Sequence, residues 1–177
     1  MNKVLIADSV SSAVSEVFDK NGIAYDTKIG LSEDELATEI TEYSGLIVRS
    51  AVTVTEKIIN SAINLKVIGR PGVGVDNVDL KAATNNGIVV MNTPLGNVQA
   101  TAELTFGIMH SLMRKISNAN QSMHQKKWEK KKFIGNEMYG KTIGIIGFGN
   151  IGKKVSQIAH AYGMNVLVYS ASISPEK

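Results

Sequence analysis

The sequence predicts an α/β protein built on parallel sheets, and three observations predict it. Short apolar runs of strand length recur through the first half of the chain, each followed by residues at helical spacing. The segments between them are short and rich in Gly, Asn and Ser. Further on, a glycine turn, Gly147-Phe148-Gly149-Asn150-Ile151-Gly152, follows an apolar run directly and opens another helical pattern.

Taken in order, Val4 to Ala7 reads as a strand ending at Asp8. Asp8 is either a strand-end acid or a cap for the next turn with Ser9 or Ser11. Val14, Val17 and Phe18 give the following helix its apolar face, and Asn21-Gly22 ends it. Ala24 to Lys28 is a second strand. Ser32-Glu33-Asp34-Glu35 resembles a capping box and starts a helix through Leu36 and Ile40. Leu46 to Val48, Leu65 to Ile68 and Ile88 to Val90 are three more strands, with a helix from Thr55 to Ala62. Asn97 to Ile116 gives the longest helical pattern, apolar on two sides, so it is expected to lie buried between layers or to bridge two lobes. His110 sits inside it and is read as a packed core histidine.

Ile143 to Ile146 is the apolar run before the glycine turn. Gly147 permits a tight turn, Gly149 lets backbone N–H groups approach phosphate oxygens, and Gly152 lets the new helix pack on the strand. A helix opening there favours an anion. Val155, Ile158, Ala159 and Tyr162 line that helix, and Val166 to Tyr169 is the next strand. This is one βαβ unit with the layout that cradles a dinucleotide pyrophosphate; the alternative is a glycine turn in some other α/β fold. An Asp or Glu that would grip the adenosine ribose is expected after the second strand, about 20 residues past the glycines. The residue there is Ser170, with no Arg nearby to pair a 2′-phosphate. Weakened NAD binding with reduced discrimination against NADP follows.

The expected architecture is a flavodoxin-like parallel-sheet lobe over residues 1–97 and a partial Rossmann dinucleotide-binding lobe over residues 98–177. Only 25 residues follow Gly152, too few for a complete dinucleotide-binding domain, so the chain is expected to be a C-terminally truncated form.

Composition is that of an ordinary globular protein, 44% hydrophobic and 20% charged. There is no cysteine, which excludes disulfides and thiolate metal sites. No stretch has the length and apolarity of a signal peptide or membrane span, and a cytoplasmic protein without a membrane partner is expected. The net charge of +3 is local, because Lys126 to Lys132 carries +4 by itself. No nucleic-acid fold signature accompanies that run, so it reads as a solvated arm and not as a nucleic-acid contact. No metal-ligand spacing or nucleophilic triad appears.

In a parallel sheet, ligands bind beyond the carboxyl ends of the strands. Arg49-Ser50 follows the third strand, and Arg70-Pro71-Gly72-Val73-Gly74 follows the fourth. Two forked cations and a loop with few side chains suit an anionic small molecule. The alternative is a surface turn with two solvated arginines.

The stretches Asn64 to Asp79, Gly87 to Pro94, Ala102 to Thr105 and Trp128 to Phe133, with the glycine turn, resemble the D-isomer-specific 2-hydroxyacid dehydrogenases across essentially the whole chain. The resemblance implies a two-lobed, oligomeric, NAD-dependent oxidoreductase with catalysis in the cleft. Its phosphorylated-substrate branch implies oxidation of 3-phospho-D-glycerate in serine biosynthesis. By the same resemblance Arg49, Ser50, Arg70, Gly72, Val73, Gly74 and Asn97 bind substrate. Val73, Gly147, Gly149, Asn150, Ile151, Gly152 and Ser170 meet the cofactor. The family's catalytic arginine, glutamate and histidine lie beyond the second cofactor strand, so no catalytic residue is assigned and the chain alone is expected to be inactive. Exposed apolar surface and self-association are expected with it. Pro71 stands where the family has a small alanine, which removes an N–H and stiffens the loop. Another D-2-hydroxyacid dehydrogenase and a non-catalytic NAD-sensing protein of the same fold are the alternatives.

Overall fold

The computed structural model describes residues 3–171. The chain divides into two compact units between Gly96 and Asn97.

The first unit is a five-stranded sheet of β1 (Lys3–Ile6), β2 (Ala24–Thr27), β3 (Gly45–Ile47), β4 (Val67–Arg70) and β5 (Val89–Asn92). Its order is β2-β1-β3-β4-β5, and every pairing is parallel. This is the flavodoxin-like order. The crossovers are α1 (Ser12–Lys20), α2 (Glu33–Glu39), α3 (Glu56–Ser61) and α4 (Leu80–Asn85).

The caps are those the side chains favour. Ser11 caps α1, Ser32 and Glu35 form a full capping box on α2, Thr55 caps α3, and Asp79 caps α4. Periodicity does not announce α4, whose six residues bury only Ala82 and Ala83. The core is aliphatic: Leu5, Ile40, Leu46, Val48, Val54 and Ile68 are fully buried between the sheet and its helices. Tyr43 is buried with them, and its hydroxyl donates to Asp26 Oδ2 at 2.5 Å. Burial and the carboxylates of Asp26 and Glu39 push that phenol well above its ordinary pKa.

Strand β4 begins and ends two residues later than the apolar run suggests. Parallel pairing with β5 continues through Arg70↔Asn92, so Arg70 is itself the last strand residue.

The second unit holds α5 (Val98–Met113), α6 (Ile116–His124), β6 (Thr142–Ile146), α7 (Asn150–Ala161) and β7 (Asn165–Tyr169), with β6 and β7 parallel. The helical pattern read through Ile116 stops at Met113. Lys115 takes a left-handed conformation, and Asn136 N–H donates to the Met113 carbonyl at 2.9 Å. A separate helix, α6, follows.

The burial expected for both sides of α5 is found on one side only. Ala102 and Phe106 pack toward α7 and the strands beside it, while Leu104, Ile108 and Leu112 are more than half exposed. His110 is not a core residue. Its Nε2 lies 2.9 Å from the Tyr162 hydroxyl, and the Phe106 ring stacks on Tyr162 at 5.3 Å.

The lysine run is tied down near both ends. The buried Ser122 hydroxyl sits 3.0 Å from Lys127 O, and Lys132 Nζ pairs with Glu129 at 2.5 Å. The indole of Trp128 stays exposed. No helix among the described residues is long and apolar enough to cross a membrane.

Candidate functional site

At the carboxyl end of the first unit's sheet, parallel pairing brings the ends of β3 and β4 side by side. Arg49 and Ser50, just past β3, are exposed. Their turn is held from beneath by Asp8, which follows β1. Asp8 is 5% exposed, and its carboxylate accepts backbone N–H groups from Ser9 at 2.7 Å, Ala51 at 2.9 Å and Arg49 at 3.0 Å. Burial alone would raise its pKa. The hydrogen bonds from Ala51, Ser9 and Arg49 outweigh that and hold it below the ordinary carboxylate value. Asp8 is thus an anchor for the arginine turn, and Ser11, not Asp8, caps α1.

Arg70 ends β4, and the 71–76 loop follows. The Arg70 guanidinium lies over Gly72, where any Cβ would collide with Nη1. The loop's carbonyls are taken from the β5 side: Thr93 N–H donates to Gly72 O at 2.9 Å, and Asn92 Nδ2 donates to Val73 O at 2.6 Å. The N–H groups of Gly72, Val73 and Gly74 have no acceptor among the described residues. Unclaimed N–H groups in a loop that carries Arg70 and follows the strand next to Arg49 form a surface suited to an anionic oxygen. Val73 and Gly74 are exposed, and Gly74 packs against the Asp76 carboxylate. Beyond this network, Asn97 precedes α5 in the second unit and makes no side-chain cap.

The second unit carries the glycine turn. Gly147 has φ +93°, a left-handed backbone that suits glycine, and its N–H donates to Tyr169 O at 2.7 Å. Gly149 is the residue before α7 and has no side chain to cap the helix. The N–H groups of Asn150 and Ile151 therefore open the helix without a side-chain acceptor, the arrangement that receives a phosphate. A Cβ on Gly152 would strike the Gly147 carbonyl, so the close approach of turn and helix requires glycine there. Ser170 follows directly on the strand end that pairs with this turn. These residues fit a dinucleotide pyrophosphate.

Sequence reasoning missed two side chains that hold the first site. Asn77 and Asn92 were visible only as members of the Asn64 to Asp79 and Gly87 to Pro94 stretches. An amide next to a glycine loop and an amide just past an apolar run were the available signals.

The geometry and the sequence comparisons agree on a class. A family model described as "D-isomer specific 2-hydroxyacid dehydrogenase, catalytic domain" matches residues 4–172, and the chain belongs to that family. It is 48% identical over 176 residues to the D-3-phosphoglycerate dehydrogenase of Homo sapiens, a match that covers 99% of this chain and 33% of the human one. The protein of the same name from Archaeoglobus fulgidus is 45% identical over 175 residues, with the same two coverages, 99% and 33%. The chain thus spans about a third of the length of the curated relatives it matches.

Among solved structures, the TT0316 protein from Thermus thermophilus superposes with a TM-score of 0.88 at 29% identity, over 98% of this chain and 57% of that one. The NAD+-bound 3-phosphoglycerate dehydrogenase of Entamoeba histolytica gives a TM-score of 0.76 at 32% identity, over 99% and 56%.

Proposed function

We propose that this chain supplies the substrate-anion loop and the pyrophosphate turn of an NAD-dependent dehydrogenase that oxidises 3-phospho-D-glycerate to 3-phosphohydroxypyruvate in serine biosynthesis. One observation carries the reading. Arg49 and Arg70 stand at adjacent strand ends beside the unclaimed N–H groups of Gly72, Val73 and Gly74. A substrate with a carboxylate and a phosphate matches two guanidinium forks better than a singly charged hydroxyacid does. The names carried by relatives at 45% and 48% identity support the same substrate.

The roles follow from the residues. Arg49 and Arg70 bind the substrate's anionic ends, Ser50 and the 72–74 loop add hydrogen bonds, and Asn97 is assigned to the substrate by its family motif alone. Gly147, Gly149, Asn150, Ile151 and Gly152 would hold the pyrophosphate and Ser170 the ribose, and Val73 is assigned to the nicotinamide by its family motif alone. A bound NAD supplies the hydride acceptor. The outer face of α5, with Leu104, Ile108 and Leu112, is covered in a homo-oligomer.

Proton transfer needs an oriented acid–base group. Among the described residues the histidine with a side-chain hydrogen bond is His110, and its partner is the Tyr162 hydroxyl, not a carboxylate. These residues alone therefore bind without turning over. The same observation favours a second reading, a non-catalytic NAD-binding protein of this fold.

NADH formation with 3-phosphoglycerate and with other D-2-hydroxyacids tests the function. Calorimetric titration of 3-phosphoglycerate and NAD into the chain accompanies it. Binding of both ligands without turnover is the expected result. Turnover by these residues would remove the binding-only reading, and failure to bind 3-phosphoglycerate would remove the substrate assignment.

A further inference from the structure

Asn77 has a side-chain arrangement that the anion-site reading does not use. Its backbone is fixed: Val54 N–H donates to Asn77 O at 2.8 Å, next to the parallel bridge between Val54 and Val78. Its carboxamide is fully engaged. Oδ1 accepts the Arg70 Nε–H at 2.7 Å, and Nδ2 donates to Arg49 O and Val52 O, both at 2.5 Å. The amide has one consistent orientation. Turning it over would set its oxygen against two carbonyls and its NH2 against the Nε–H donor.

One side chain therefore touches both arginine segments, which are 21 residues apart in the sequence. On the Arg70 side it occupies Nε–H. No other partner engages that guanidinium among the described residues, so its terminal nitrogens remain for a forked anion contact. On the Arg49 side it holds the carbonyl of a residue whose N–H is already held by Asp8. Both peptide groups of Arg49 are pinned while its side chain stays exposed.

We infer that Asn77 is a positioning residue for the anion site: its carboxamide locks the Arg70 guanidinium and the Arg49 backbone into one arrangement. This rests on the proposal that the two arginines bind the substrate anion. A locked guanidinium loses less rotational freedom on binding, so its effect appears in affinity and not only in folding. A loop staple with no role at the site would change stability alone.

The test is a double-mutant cycle on this chain, Asn77→Ala crossed with Arg70→Lys, read by calorimetric titration of 3-phosphoglycerate and of inorganic phosphate. Circular dichroism gives the folded fraction of each variant, and affinities are corrected for it. Lysine has no Nε–H fork, so Arg70→Lys removes the bond that Asn77 makes. Asn77→Ala is expected to weaken binding roughly tenfold in the wild-type background and to do little more in the Arg70→Lys background. Asn77→Asp should weaken it further, since its carboxylate neutralises Arg70 and faces two carbonyl oxygens. The Arg70 Nε–H resonance should be slow to exchange in the wild type and fast in Asn77→Ala.

Corrected affinities within about twofold of the wild type, or fully additive effects, would overturn the positioning role while leaving the anion site standing. A wild-type chain that binds neither anion would overturn the anion site and this inference together.

Discussion

The carboxylate of Asp8, at the end of β1, accepts the backbone N–H of Arg49 at 3.0 Å from 41 residues away in sequence. The bond sets where the β3 turn leaves the sheet. It also makes the turn sensitive to pH. The folded-state pKa of Asp8 is lowered, so its stabilising contribution is fully present above the unfolded value of about 3.9 and is lost as pH falls through the lower folded value. Asn in its place meets N–H donors with an amide NH2. Asp8→Asn is expected to cost about 1.5–3 kcal/mol at neutral pH. Chemical denaturation of both proteins from pH 7 to pH 2.5 checks this. The gap should narrow below about pH 4, and a gap that stays constant would mean that the charge of Asp8 is not what holds the turn.

The two arginines should differ in what replaces them. Lysine keeps the charge but lacks the planar fork. Arg70→Lys is expected to weaken 3-phosphoglycerate binding about tenfold or more, and Arg70→Ala more still, with little change in the unfolding midpoint of the first unit. Titration calorimetry at two salt concentrations reads it. Equal affinities for Arg and Lys at this position would argue against forked contact.

The glycine turn offers two contrasting substitutions. Gly147→Ala forces a side chain into a left-handed backbone, at a cost of roughly 1–2 kcal/mol. Gly152→Ala drives a Cβ into the Gly147 carbonyl, so turn and helix must separate. Quenching or transfer fluorescence with NADH should show weakened binding in the first variant and loss in the second. NADH binding by Gly152→Ala at wild-type strength would show that the close approach is not needed.

In the proposed cofactor site Ser170 takes the ribose end. A carboxylate there accepts from the 2′-hydroxyl and repels a 2′-phosphate. Ser170→Asp is expected to shift the ratio of NADH to NADPH affinity by about tenfold or more toward NADH. The wild type should separate the two cofactors poorly. An unchanged ratio would take Ser170 out of cofactor choice.

The exposed face of α5 calls for a hydrodynamic measurement. Leu104→Ser with Leu112→Ser removes two apolar side chains that are 63% and 77% exposed, and neither belongs to the Ala102–Phe106 face turned to α7. Sedimentation equilibrium should report a lower association constant than for the wild type. Indifference to the pair would move any association surface elsewhere.

By itself the sequence determined what depends on near neighbours. The apolar runs around Leu5, Leu46 and Ile68, the capping box at Ser32 and Glu35, and the turn from Gly147 to Gly152 are set by backbone propensity and spacing over a few residues. They were legible for that reason. So were Arg49 and Arg70 as cations near strand ends, since an apolar run places a strand's end to within about two residues.

Tertiary structure decided the rest. The break at Lys115 is hidden because helical spacing continues through Ile116, while the helix ends at a left-handed Lys115 and an Asn136–Met113 hydrogen bond. The short α4 has too few buried residues to leave a period. His110 meets Tyr162, 52 residues on, and Asn77 joins Arg70 to a carbonyl 28 residues back. Such pairs have no sequence spacing of their own. Sheet order creates the Asn77 pair, by placing the ends of β3 and β4 side by side, and the packing of α5 on α7 creates the His110 pair.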